Sequence, residues 1–530
     1  MHYLFILLPI LIGLIAYIAK NRFSKPLLLI FQFIYLVFAF LSFLQIKNSG
    51  PQIIDMGNVP NGFAISLYVD NISAAFVLLT ALIYFFLIIY AYNHDYFEPQ
   101  FFFPFLSLEG LITGLFLSGD LFNLFIFLEV STVIVSILIM YNKKEQAVYD
   151  GMIYFFVNVL GSSFFLFGIG FIYKLFGVLD IRSLSKAMEI FTLNDSVYVP
   201  FALMMVTVSL KTAISPLFSW LPKAHGTPSA PPVISAVLSG LYIKSGLYLF
   251  IRISAMYSPA VQMDTFFFYL GFATAIIGAV MSFSQTDIKL ILSYSTVSQV
   301  GLIFMGLNMN SEIAFYGSVF HIFNHAIFKT ALFLAAGLLT KYYKTRNIHE
   351  MNSVLKNFPL IGYSIIFSIL GITGAPFFNG SISKYMIAHG TDNLFATLLL
   401  NIVNLGTILI FVKFSVILFG NNTWGKEKIK DRLSQYSVLI VSSLALLSGL
   451  FGRRVTEFLF DYPLTVDSAE YLQKGFVYVL MGLAGIALYK KVIQQNKWLF
   501  KLTQIELTFN GIITFLTGYF LLLLTILYIR

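Results

Sequence analysis

The sequence has no cysteine, and only 11% of its 530 residues are charged, where a soluble domain carries roughly 25%. The first absence excludes disulfides, thiolate metal sites and cysteine-ligated iron–sulfur clusters. The second excludes an ordinary soluble fold. In place of charge there is 58% hydrophobic and 17% aromatic content, with a mean hydropathy of +0.85, the composition of a polytopic membrane protein. The opening run YLFILLPILIGLIAYIAK is long enough to span a bilayer, and PLLLIFQFIYLVFAFLSFL follows at once. No cleavable signal peptide is therefore expected, and the N-terminus reads as the first helix.

An apolar window of about 20 residues predicts sixteen spans, near 3–20, 26–46, 70–92, 101–118, 120–141, 151–176, 198–221, 230–252, 264–284, 291–309, 313–340, 358–388, 393–420, 436–452, 473–490 and 506–528. The connections are short, so no extramembrane domain is expected to hold an active site of its own. With the N-terminus placed outside, the loops collect nineteen Lys and Arg inside and nine outside, leaving Lys211, Lys244, Lys329, Lys384 and Lys413 within spans. That asymmetry predicts both termini outside. The net charge of +9 is read as this topology signal, not as nucleic-acid binding.

Charge inside a bilayer costs about 2.5–3.5 kcal/mol per central residue even on lenient scales, so each case is weighed against snorkelling and structural ion pairing. Lys211 stands eleven residues after Pro200 and ten before Leu221, roughly 15 Å from either end of a helix. Lys244 and Lys329 are similarly deep, and Glu129, in GDLFNLFIFLEVSTVIVSILIMY, is the matching buried acid. Four such groups point to a polar pathway. Lys413 lies seven residues from Gly420, so snorkelling and function stay equally open for it.

His321, His325 and Lys329 follow at i, i+4 and i+8, one stripe that Asn324 widens. A zinc reading in the HEXXH style needs glutamate after the first histidine, where Ile322 stands, so a titratable relay is preferred and no metal or other cofactor is expected. Two segments carry helix-breaking residues. After Lys211 come Pro216, Pro222, Gly226, Pro228, Pro231 and Pro232; ahead of Lys384 come Gly371, Gly374, Pro376 and Gly380. Paired broken helices, expected near 211–225 and 371–384, point to an inverted-repeat transporter with its path near the midplane. A proline kink or loop is the plainer alternative.

The stretch SLKTAISPLFSWLPKAHGTPSAPPVISAVLSGLYIKSGLYLF resembles the central signature of the antiporter-like proton-translocating subunits of respiratory complex I, Mrp-type sodium/proton antiporters and membrane-bound hydrogenases. QTDIKLILSYSTVSQVGLIFMG, HIFNHAIFKTALFLAAG and DLFNLFIFLEV are similar to further blocks of that family, and the resemblance covers roughly residues 60 to 420. It implies an all-α, fourteen-helix core of two inverted five-helix repeats, each with a broken helix. Two spans exceed that core and are placed among the three after about residue 435. The division expected is N-terminal helices over 1–100, a first repeat over 101–255, a second over 256–420 and C-terminal helices over 421–530.

By the same resemblance Glu129 is the acid at the interface with a neighbouring subunit, Lys211 its broken-helix partner and Lys244 the next relay lysine. His325 and Lys329 fall on the central positions of the second half, and Lys384 on the terminal one, where some members carry glutamate. His321, Lys413 and His225 are secondary candidates. The implied function is proton translocation, with sodium exchange left open, in the cell membrane beside other membrane subunits. The Mrp D-type or hydrogenase-type branch is favoured; a lysine at 384 fits both but also occurs in certain complex I subunits of the family. A quinone-oxidoreductase subunit of complex I type and a non-conducting scaffold remain the alternatives. No catalytic centre of its own is expected, since GLAGIAL lies in a span and lacks the strand–helix context of a nucleotide fingerprint.

Overall fold

Long apolar stretches leave the backbone one economical choice in lipid, the helix, because every N–H and C=O must find its partner locally. A computed structural model describes residues 2–19, 24–56, 65–190, 195–226, 230–420, 431–494 and 509–529. Of the groups weighed in the sequence, Lys20, Arg22, Pro228, Lys426, Lys428, Lys430, Lys497, Lys501 and Arg530 lie outside the described residues.

The helices, in chain order, are α1 Leu4–Ala19, α2 Ser24–Ser49, α3 Asn71–Ala91, α4 Pro99–Leu117, α5 Leu121–Ile139, α6 Glu145–Phe176, α7 Ile181–Ile190, α8 Tyr198–Lys211, α9 Trp220–Gly226, α10 Pro232–Val237, α11 Ile243–Tyr257, α12 Asp264–Ser284, α13 Ile288–Leu307, α14 Glu312–Tyr343, α15 Val354–Asn357, α16 Pro359–Thr373, α17 Asn379–Ala388, α18 Leu394–Phe414, α19 Arg432–Leu450, α20 Gly452–Phe460, α21 Ser468–Leu488 and α22 Phe509–Ile529. Thirteen helical stretches among the described residues are long and apolar enough to cross a membrane. The three other expected spans correspond to the 16-residue α1 and to two interrupted pairs, α8 with α9 and α16 with α17. The all-α polytopic architecture is therefore present. One element goes beyond it: β1 Gln52–Met56 pairs antiparallel with β2 Ile65–Val69, Gln52 opposite Val69 and Met56 opposite Ile65.

Several helices start on an aspartate whose carboxylate accepts from a first-turn N–H. Asp70, Asp120 and Asp287 do this for α3, α5 and α13, relieving orphan donors at the positive end of the dipole. The last two of these caps also reveal an internal repeat. The connection before α5 bridges to the chain after α6 through Leu121 N–H to Leu179 C=O and Ile181 N–H to Gly119 C=O, both 3.0 Å. The connection before α13 bridges to the chain after α14 through Ile288 to Arg346, 2.8 Å, and Ile348 to Thr286, 3.0 Å. The bridges are Asp120 with Asp180 and Asp287 with Asn347, so the second repeats the first at a constant offset of 167 residues (120 to 287, 180 to 347). Both enclose a 32-residue helix, α6 or α14, opening on a glutamate. Five crossings separate the two bridges, α5, α6, α8–α9, α10–α11 and α12, so they lie on opposite faces and the second unit is inverted.

The most apolar windows of α10–α11 and of α14 are entirely buried, whereas α21 is almost wholly at the surface. The centre of the molecule is thus where α10–α11 meets α14, with α13 and α17 against α14.

The turn between α3 and α4 is tied to α19 by His94, whose Nε2 lies 3.3 Å from the Ser434 hydroxyl and 3.8 Å from Asp431. Burial pushes the imidazole down, Lys341 adds to this, and Asp431 only partly opposes it, leaving a pKa of about 4. A folded pKa below the unfolded 6.5 means the unfolded chain binds the proton first, so stability present above pH 6.5 is lost as pH falls towards 4. The expected loss is at most about 3 kcal/mol. It is read as the difference in thermal midpoint between parent and His94→Gln across pH 4–7; parallel curves for the two proteins would remove His94 as its source.

Candidate functional site

In the first half, α8 stops at Lys211 because the next residues cannot continue it: Ala213 has φ +55 and Pro216 lacks an N–H. The indole N–H of Trp220 donates to the Leu210 carbonyl at 2.7 Å, satisfying an acceptor that the break releases. Lys211 therefore stands at the negative end of a half-helix, 2% exposed. Its ammonium donates to the Thr132 hydroxyl at 2.6 Å and lies 5.9 Å from the Tyr242 ring. Ser131 and Thr132 are each 3.4 Å from the Tyr242 hydroxyl.

Glu129, one turn before Thr132 on α5, is half-buried and forms no ion pair among the described residues. The direct Glu129–Lys211 pair expected from the sequence is thus not formed here. The hydroxyl of Thr132, a neutral acceptor one turn further along α5, takes the ammonium, while Glu129 stays half-buried within electrostatic range of Tyr154 on α6.

Between α10 and α11 the helix widens into a π turn, Leu238–Tyr242, and a freed carbonyl there, that of Ser239, accepts from Lys244. Lys244 also contacts Nδ1 of His325 on α14, and both are fully buried. This contact joins the halves. His321, His325 and Lys329 are all 0% exposed, as the stripe on α14 required. Lys329 turns to α13, donating to the Leu292 carbonyl at 2.8 Å and to the Ser295 hydroxyl. His321 lies 2.9 Å from Ser383 and 3.1 Å from Gln299, whose amide in turn donates to Thr407 at 2.9 Å. Asn324 bonds the Asn379 carbonyl at 3.0 Å, at the start of α17.

The second break mirrors the first. Gly374, φ +83, ends α16, and the Lys384 ammonium turns back to the Thr373 carbonyl at 3.3 Å, again at the negative end of a half-helix. The group beside Lys384 is therefore His321, through Ser383, whereas Lys329 points the other way along α14. This changes the order anticipated from the sequence, in which Lys329 stood next to Lys384.

Two secondary candidates stand apart. Lys413 caps the end of α12, donating to the carbonyls of Phe283 at 2.6 Å and of Gln285. His225 stacks on Phe333 with centroids 4.5 Å apart, and neither ring nitrogen makes a hydrogen bond among the described residues. Besides His94, two buried groups within the core of the spans were not singled out in the sequence. Lys289, placed there among loop residues, is 3% exposed beneath the Ala230 carbonyl. Glu109, fully buried on α4, accepts from Gln32 of α2 at 2.6 Å; the lone acid in the 101–118 span was the signal available for it.

Two cavities flank the series. One, about 630 Å³, is lined by His94, Lys289, Lys341 and Arg346; the other, about 480 Å³, by Lys384, His389, Glu470 and Lys474. A single crossing, α16–α17, separates their loops, so they open on opposite faces. Among the described residues no cluster of three or more His, Asp or Glu has metal-binding geometry.

Comparison with known proteins agrees with this architecture. The family model for the transmembrane region of NADH:quinone oxidoreductase and Mrp antiporter subunits matches residues 118–412. The D-type subunit of the Na(+)/H(+) antiporter of Alkalihalophilus pseudofirmus is 28% identical, over 80% of this chain and 87% of that protein. Its counterpart in Bacillus subtilis, of the same name, is 27% identical, over 84% and 93%. Among solved structures, the archaeal membrane-bound sulfane sulfur reductase has a chain that superposes with a TM-score of 0.80 at 25% identity, covering 92% of this chain and 99% of that one. The Mrp complex from Dietzia sp. DQ12-45-1b gives 0.80 at 22% identity, covering 89% and 98%. With the family match extending over more than half its length, the chain belongs to the NADH:quinone oxidoreductase/Mrp antiporter transmembrane family.

Proposed function

We propose that this chain carries protons within a multi-subunit membrane complex, along Glu129, Lys211, Lys244, His325, His321 and Lys384, with Lys329 a side station towards the larger cavity. The observation that most supports this is the buried contact of Lys244 with His325, which links the inverted halves through two groups able to hold a proton. The half-buried Glu129 faces a neighbouring subunit. When its carboxylate approaches, opposite charge offsets desolvation and holds Lys211 protonated; when it withdraws, only the Thr132 hydroxyl remains and the lysine releases its proton.

The names of the two bacterial relatives favour exchange for sodium in an Mrp-type assembly over a redox-driven complex. The bias of loop bases favours both termini outside the cell membrane. The chain divides as 1–100, two repeats over 101–255 and 256–420, and 421–530.

The test is reconstitution of the assembled complex with a pH-sensitive dye. Lys211→Ala and Glu129→Ala should each reduce proton flux about tenfold or more, in the range for losing a positioned proton-transfer group. Flux that ignores both substitutions would refute the relay.

A further inference from the structure

Among the described residues the short α20 and two span-length helices, α21 and α22, follow the α19 span, and α21 lies beyond residues 118–412 matched by the family. It is a surface helix, yet its first turns close over the 480 Å³ cavity that Lys384 lines. There Glu470 reaches His389 with Oε2 2.7 Å from Nε2, and Lys474 with Oε1 at 3.0 Å. Lys474 also lies 2.9 Å from His389 Nδ1 and 4.2 Å over the ring of Tyr385, which stacks on His389 at 4.2 Å. The Tyr385 hydroxyl donates to Glu470 at 3.3 Å. With an ammonium donating to Nδ1, Nε2 carries its hydrogen towards Glu470, so the imidazole bridges the ammonium and the carboxylate.

We propose that His389 and Glu470, set by Lys474, form the terminal proton-exchange site of this chain, taking the proton from Lys384 and passing it to water at that face. The proposal rests on the relay reading above. In the forward step an N–H bond of the Lys384 ammonium breaks and an O–H bond forms at Glu470, by way of cavity water; the acid then loses that proton to bulk water, and no electrons move. A cavity of this size with several polar walls takes water readily. The other titratable groups facing the pair are Tyr385 of α17, Asp392 of the following loop, and Tyr471 and Tyr478 of α21; α18 contributes the neutral Asn401 and Asn404. A solvated anchor for α21 is the plain alternative, since each of the three charged or imidazole side chains is about a third exposed.

The reconstituted complex separates these readings. Glu470→Gln, nearly isosteric and still able to accept from Lys474, should lower flux about fivefold or more and move the pH profile of flux at that face; Glu470→Asp should restore part of both. His389→Asn should behave as Glu470→Gln does. An anchoring role would change assembly or melting and leave the pH profile of the assembled complex in place, which would overturn the proposal. Lys384→Ala is the control: if it abolishes flux while Glu470→Gln and His389→Asn match the parent, the terminal site fails and the relay stands. If Lys384→Ala itself retains parental flux, the relay fails.

Discussion

Replacing Lys244 by methionine is expected to reduce proton flux about a hundredfold, in the range for losing a positioned acid–base group, while leaving the complex assembled. The two effects separate because stability and transport use different properties of the side chain. The lysine is fully buried, and among the described residues its ammonium bonds the Ser239 carbonyl and His325. Removing it leaves the Ser239 carbonyl and His325 Nδ1 without their partner, a cost of about 1–3 kcal/mol each, but also removes the desolvation penalty of a buried charge, which offsets part of that cost. Transport has no such offset. Lys244→Arg sharpens the test: guanidinium keeps the charge but does not give up its proton, so flux is expected to fall about tenfold or more, as for loss of a proton-transfer group. An arginine variant with parental flux would mean that fixed charge suffices and that Lys244 carries no proton. Flux is followed with a pH-sensitive dye in proteoliposomes, and assembly by size-exclusion chromatography of the same preparation.

Most of the helical framework could be read from composition because lipid forbids unpaired backbone, so each run of about 20 apolar residues becomes a span. The breaks were legible for the same reason: proline and glycine in a span release carbonyls, and Trp220, Lys384 and local N–H groups were found taking them up. The β1–β2 hairpin was not legible, since averaging over a span-length window hides a five-residue alternation. Depth of charge could also be read, but partner choice could not. Lys211 has both Glu129 and Thr132 within a turn on the facing helix, and only three-dimensional placement decides that the hydroxyl is nearer.

Glu109 shows the same limit from another side. Its partner Gln32 is 77 residues away, and a single acid barely changes a window average. Lys289 looked like a loop residue because the apolar window began its span at 291, yet α13 starts at Ile288 and the chain at Ala230 folds over the lysine. The exchange of His321 for Lys329 as the neighbour of Lys384 is a matter of direction. Groups at i and i+8 share a stripe but sit about 12 Å apart along the axis, so a helix crossing at one end reaches only one of them. Here α17 crosses at the His321 end.

That crossing depends on Gly380. A Cβ there would lie 1.8 Å from the Gly371 carbonyl oxygen and 3.0 Å from its carbon, so the obstacle is backbone that no rotamer change can clear. Gly380→Ala must therefore push α17 away from α16 by more than an ångström, and overpacking of this kind costs about 1–3 kcal/mol or more. The displaced helix carries Ser383 and Lys384 with it. The 2.9 Å contact of Ser383 with His321 would open beyond hydrogen-bond range, and Lys384 would leave the Thr373 carbonyl. The expected result is a lower melting temperature together with flux reduced about tenfold or more, as when a proton-transfer contact is lost. Gly482→Ala is the matched control, because nothing lies within 4 Å of its Cβ; alanine there should stabilise α21 by about 0.5–1 kcal/mol. If Gly380→Ala melts and transports like the parent, the close approach of α16 and α17 is not what holds Lys384 in place. If it melts lower yet transports normally, proton passage does not need the His321–Ser383 contact, and the series must leave α14 by another residue.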